Sequence, residues 1–124
     1  MLFNYHRARE AGEDRVIVVE GFFDCLRVHQ AGFPCVVALM GARLSLAQKN
    51  LMAGRFSSVV LLLDGDQTGR AATRQIAGDL ALACSVTEVS LPAEMQPDQM
   101  AEASVRQALA GGERRQEIGT NRPI

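Results

Sequence analysis

Three short runs of β-branched and aliphatic residues constrain this chain most: RVIVVE (residues 15–20), CVVAL (35–39) and SVVLLL (58–63). Each is long enough for a buried strand. Each is also too continuous for a sheet with one wet face, on which apolar and polar residues would alternate. Between them lie stretches of helical spacing. Residues 22–31 carry an apolar stripe of Phe22, Cys25, Leu26, Val28 and Ala31, stopped by Gly32. Ser45 is a candidate N-cap for a short helix over 46–53 that ends at Gly54. Residues 70–83 have helical composition, 86–91 read as a fourth strand, and 98–110 as a last helix before Gly111-Gly112. Strand–helix alternation repeated four times predicts an α/β fold, a four-stranded parallel sheet with helices on both faces and right-handed crossovers, Rossmann-like in layout. The organisation expected is a lead-in over 1–14, a domain over 15–110 and a polar, aperiodic, flexible tail over 111–124.

Composition narrows the functional classes. At 124 residues the chain has the length of one domain, and a net charge of −1 argues against a free-standing basic clamp for nucleic acid. The longest uninterrupted apolar run, 59–63, is far short of the ~20 residues a membrane span needs. The opening MLFNYHRARE lacks the pattern of a secretion signal, so the expected location is the cytoplasm. Cys25, Cys35 and Cys84 form no CxxC pair and read as buried thiols in a reducing compartment; His6 and His29 suggest no ligand pair.

In parallel sheets of this kind, ligands bind beyond the carboxyl ends of the strands. Glu20 ends the first strand, Asp64 and Asp66 follow the third, and Asp98 follows the loop after the fourth, so four acids share that edge. Gly65, with no side chain, lets the two aspartates of DGD sit on one tight turn. Carboxylates this close repel unless a cation joins them, and Mg²⁺ suits oxygen ligands that work with phosphates. The turn enters a helix near Gly69-Arg70, whose free N–H groups would face a phosphate. A DGD turn alone is also an ordinary helix start; it is the acid at the end of a separate apolar strand that favours the metal.

Two other motifs share this text. DGDQTG matches half of a calcium-binding EF-hand loop, but the twelfth position is Gln75 and a strand precedes the loop. A strand followed by DxDxT also fits a phosphatase with Asp64 as nucleophile and Asp66 as its acid–base partner. Such an enzyme needs a later lysine, and Lys49 precedes the motif.

VIVVEGFFD (16–24), LLLDGDQTGRAA (61–72) and PDQM (97–100), together with the NYHRARE lead-in, resemble the Toprim domain, specifically that of bacterial-type DNA primases. The resemblance covers roughly residues 1–110. It implies that Glu20 is a general acid or base or helps hold metal. It likewise implies that Asp64 and Asp66 are the Mg²⁺-coordinating pair, with Mn²⁺ able to substitute, and that Asp98 is the second aspartate of a D-P-D motif. Gln96 stands where that motif has its first aspartate, which removes one charge. Asp24 matches the EG-x-x-D position, where metal support competes with a plain helix-start role. Gly41 and Ala42 match a small-residue loop near the site, and Arg70 is a candidate phosphate contact.

The function implied is metal-assisted nucleotidyl or phosphoryl transfer on nucleic acid, namely primer synthesis in DNA replication. The expected partners are single-stranded DNA or RNA, nucleotides, other primase domains and a replicative helicase. No zinc-binding spacing and no basic, aromatic-laced surface is present in the sequence, so the chain is expected to be a fragment or a small stand-alone protein, not fully active alone. A small Toprim nuclease and a non-catalytic nucleic-acid or partner-binding Toprim module are the alternatives.

Overall fold

The computed structural model describes residues 2–41, 43–110 and 113–115. The apolar runs become strands β1 (Arg15–Val19), β2 (Val36–Ala38) and β3 (Ser58–Leu61), and Ser85–Glu88 forms β4. These four are parallel in the order β2-β1-β3-β4, with Ile17 opposite Val36 and Val60, and Val60 opposite Thr87. The expected parallel sheet is therefore present. One strand was not expected: β5 (Glu113–Arg115), from the tail read as flexible, pairs antiparallel with β4 at the edge. Its sequence, ERR, carries no apolar signal, and its pairing is carried by backbone bonds that any residues can make. The rest of that tail lies outside the described residues.

Helices cover both faces. α1 (Tyr5–Glu10), α3 (Leu46–Arg55) and α4 (Gln67–Leu80) pack Ala8, Met52, Ile76 and Leu80 against Val16, Val18, Val59 and Leu61. α2 (Phe22–Gln30) and α5 (Glu102–Ala110) pack Cys25, Val28 and Val105 against Ile17, Val19, Val60 and Leu62. Alternate residues of each central strand thus enter opposite cores, which is why these strands have no polar face. The lead-in joins the same structure. Phe3 exchanges two backbone hydrogen bonds with Ala38 at the β2 edge, of 2.9 and 3.0 Å, and Leu2 and Ala8 are buried. The three described cysteines are buried and free, as expected.

Element ends depart from the sequence reading in several places, among them β4, which stops at Glu88 and not at residue 91, and α4, which stops at Leu80 and not at residue 83. Gly54 does not stop α3, which continues to Arg55; one helical glycine costs only ~1 kcal/mol, and Phe56, buried in the core, sets the end instead. α4 begins at Gln67, three residues earlier than expected, because Asp66 is its N-cap. The last helix is broken: Pro97–Gln99 is a 3-10 turn, and α5 starts only at Glu102. Ser45 caps α3 as expected, its hydroxyl accepting the Gln48 N–H at 3.1 Å while Gln48 Oε1 accepts the Ser45 N–H at 2.9 Å.

Candidate metal centre

The carboxyl edge of the sheet gathers the acids because each strand ends there. Glu20 follows β1, and its Oε1 accepts the backbone N–H of Asp64 at 3.1 Å, which ties the β3 turn to the end of β1. Gly65 continues that turn against the loop after β4. Its N–H donates to Met95 O at 2.7 Å, and its carbonyl accepts from Glu94 N–H at 3.2 Å. A Cβ on Gly65 would collide with the carbonyl oxygen of Pro92, so the glycine expected for turn freedom is also required for close approach. Gly69 has a similar role: a Cβ there would run into the Asp64 carbonyl, packing α4 onto the turn.

Asp24 joins the last acid to the others. Its Oδ1 accepts the Asp98 N–H at 3.0 Å and its Oδ2 accepts the Gly21 N–H at 3.3 Å. The helix-start reading of Asp24 is seen in its bond to Gly21, and its second bond holds the backbone of Asp98. Spacing along the chain gave no sign of the bond to Asp98, which spans 74 residues.

Glu20, Asp24, Asp64 and Asp98 line one cavity of about 430 Å³, with Gln96 and Gly41 on its wall. Ala42 lies outside the described residues. Burial is the main cause that pushes the Asp64 carboxyl up to about 7, followed by the like charges of Glu20, Asp24, Asp66 and Asp98. Asp24 is pushed up to about 6, chiefly by burial. Oδ1 of Asp64 and Oδ1 of Asp98 are buried without a hydrogen-bond partner. Buried carboxylate oxygens are normally satisfied, and two orphans on neighbouring acids of one cavity are a donor set of the hard-oxygen kind that Mg²⁺ takes. The residues therefore fit such a cation, although among the described residues no three His, Cys, Asp or Glu side chains form a finished ligand group.

Asp66 is placed differently. It is not on the cavity wall: its Oδ1 accepts the Gly69 N–H at 2.7 Å as the cap of α4. The sequence reading of free helix N–H groups at Gly69-Arg70 is corrected by the same contacts. The Gly69 N–H is taken by Asp66 Oδ1, and the Arg70 N–H by the Asp66 carbonyl at 2.9 Å. The Arg70 side chain lines another cavity, with Arg74 and Thr73, on the α4 side of the Asp64-Gly65 turn. The cavity wall also includes Phe22, Phe23 and Met40. Phe22 was legible only as part of an apolar stripe, and Met40 only as loop.

Residues 14–90 match the model of the Toprim domain, a span that includes Glu20, Asp64 and Asp66 and ends before Asp98. The chain belongs to the Toprim family. It is 38% identical over 101 residues to the DNA primase of Aquifex aeolicus, covering 79% of this chain and 20% of that protein. The DNA primase of Chlamydia trachomatis is 35% identical over 116 residues, covering 88% of this chain and 19% of the relative. The crystal structure of the Aquifex aeolicus primase zinc-binding and RNA polymerase domains superposes with a TM-score of 0.82 at 32% identity, over 91% of this Toprim chain and 30% of the solved one. The chain thus spans about a fifth of the length of the curated relatives it matches. No described helix is long and apolar enough to cross a membrane.

Proposed function

We propose that this Toprim domain holds Mg²⁺, or Mn²⁺ in its place, and serves nucleotidyl transfer on nucleic acid as part of a DNA primase. The observation that carries the reading is a pair of orphaned buried oxygens, Asp64 Oδ1 and Asp98 Oδ1, on two residues that line one cavity at the strand ends. Asp64, Asp98 and Glu20 would hold the cation. Asp66 would add its negative charge and Oδ2, since the helix cap uses Oδ1. The bound cation would neutralise charge developing on a phosphoryl group and orient it.

The protein's own residues have separable parts in this reading. Glu20 orients the Asp64 turn through Oε1 and keeps Oε2 for a proton or a ligand. Asp24 fixes Asp98 by its backbone. Gln96 presents an amide where primases carry an acid, so the Asp98 side of the cavity holds less charge for a second cation. Similarity to DNA primases supports primer synthesis over the nuclease and binding-module alternatives. Single-stranded template, nucleotides, further primase domains and a replicative helicase are the partners proposed with it, and the cytoplasm is the location.

The test is incubation of the chain with single-stranded DNA, ribonucleotides and Mg²⁺ or Mn²⁺, alone and spliced in place of the Toprim segment of a DNA primase. A D64N/D66N pair runs beside each. New oligoribonucleotides from the splice, lost in the double variant, are expected. Shortened nucleic acid lost in the double variant would assign a nuclease. A splice that folds and binds metal yet makes no product would leave a binding module.

A further inference from the structure

The motif EGFFD puts two aromatic residues directly after Glu20, at the start of α2. That helix turns Cys25 and Val28 to the sheet, and the rings turn away from it: Phe22 is 38% and Phe23 67% exposed. Neither packs into the core, yet neither is loose. Phe3, packed against the core beneath α2, meets Phe22 edge-to-face with centroids 4.9 Å apart, and Phe22 meets Phe23 the same way at 5.2 Å. Edge-to-face contact is a preferred arrangement of aromatic pairs, so each ring's orientation is held by its neighbour. Phe22 and Phe23 line the same cavity as Asp64 and Asp98, and Met40, 57% exposed, lines it too.

From this juxtaposition we propose that Phe22 and Phe23 are a stacking platform for an unpaired nucleobase, with Phe23 as the positioning residue. The inference rests on the metal-centre reading above. The cavity pairs an acid floor with an apolar, aromatic rim. A ligand that suits both parts has an anionic group, brought to the carboxylates by a cation, and a flat apolar group beside it. A nucleotide has both. Inorganic phosphate or a metal alone would leave the rings unused, and an apolar protein surface would have to cover four carboxylates in the same contact. Base–aromatic stacking tolerates any base, so the platform would position the substrate without reading its sequence.

The chain has no tryptophan, so F23W makes a single fluorescent reporter that still stacks. It is titrated, with Mn²⁺ present, with short single-stranded oligothymidylate and with an abasic phosphodiester of equal length and charge. The expected result is quenching of the indole by the first at about tenfold lower concentration than the second. In F22L/F23L, followed by filter binding, the two affinities become equal, while Mn²⁺ affinity measured by calorimetry stays at the wild-type value. Equal affinities in the wild type, or a preference that survives in F22L/F23L, would overturn the platform and leave the metal centre standing. A blue shift of F23W emission that grows with protein concentration in the absence of nucleic acid would reassign the rings to a contact between copies of this chain. Loss of all Mn²⁺ binding by the wild type would overturn the metal-centre reading, and the platform with it.

Discussion

Asp64 has two opposed requirements. It follows a buried strand, where its charge is costly, and in the proposed reading it must be ionised to hold a cation. Its carboxyl is raised to about 7 from an ordinary value of 3.8, so the native state binds a proton that the unfolded chain has already released. With metal absent, stability should therefore be greatest below about pH 4 and fall as pH rises through 7. Asp24, raised to about 6, adds to the same slope in the lower part of that window. The D64N variant removes the larger contribution. Thermal melts of metal-free protein should show it more stable than the wild type at pH 8 by a few °C, with a flatter pH profile. Gly65 has the opposite sensitivity: G65A drives a Cβ into the Pro92 carbonyl and should cost about 1–3 kcal/mol in urea unfolding at any pH.

The elements differ in how much of them the sequence displays. β1 and β3 were legible because both of their faces are apolar, and the acids at their ends followed from strand direction alone. α4 was placed three residues late because a reading of Asp66 as ligand hides its role as cap. The cap and the proposed part in holding metal separate by substitution. D66A loses the cap and should destabilise α4 by about 1 kcal/mol, whereas D66N, an equally good cap, should melt with the wild type yet bind Mn²⁺ more weakly. Calorimetry of both variants, beside their melting temperatures, checks this. The Asp24–Asp98 contact was hidden because a hydrogen bond between α2 and the 3-10 turn leaves no periodic trace in either segment. β5 was hidden for a related reason: an edge strand of charged residues has no apolar face to advertise it.

At the scale of the molecule, the sheet works as a frame that brings acids from remote parts of the chain to one edge. Two apolar cores, one per face, hold the central strands rigid so that mutually repelling carboxylates can be kept close. L62A, in the core beneath α2, should cost about 2–5 kcal/mol with no direct effect on the carboxylates. A cation bound only by the folded state returns part of the cost of crowding the acids. At a hundred times its dissociation constant it would stabilise the domain by ~2.7 kcal/mol. Titration calorimetry of Mn²⁺ into the wild type and into a D64N/D98N variant that melts no lower than the wild type tests the central claim most directly. The account predicts saturable binding by the wild type and its loss in the variant, and unchanged binding in that variant would contradict it.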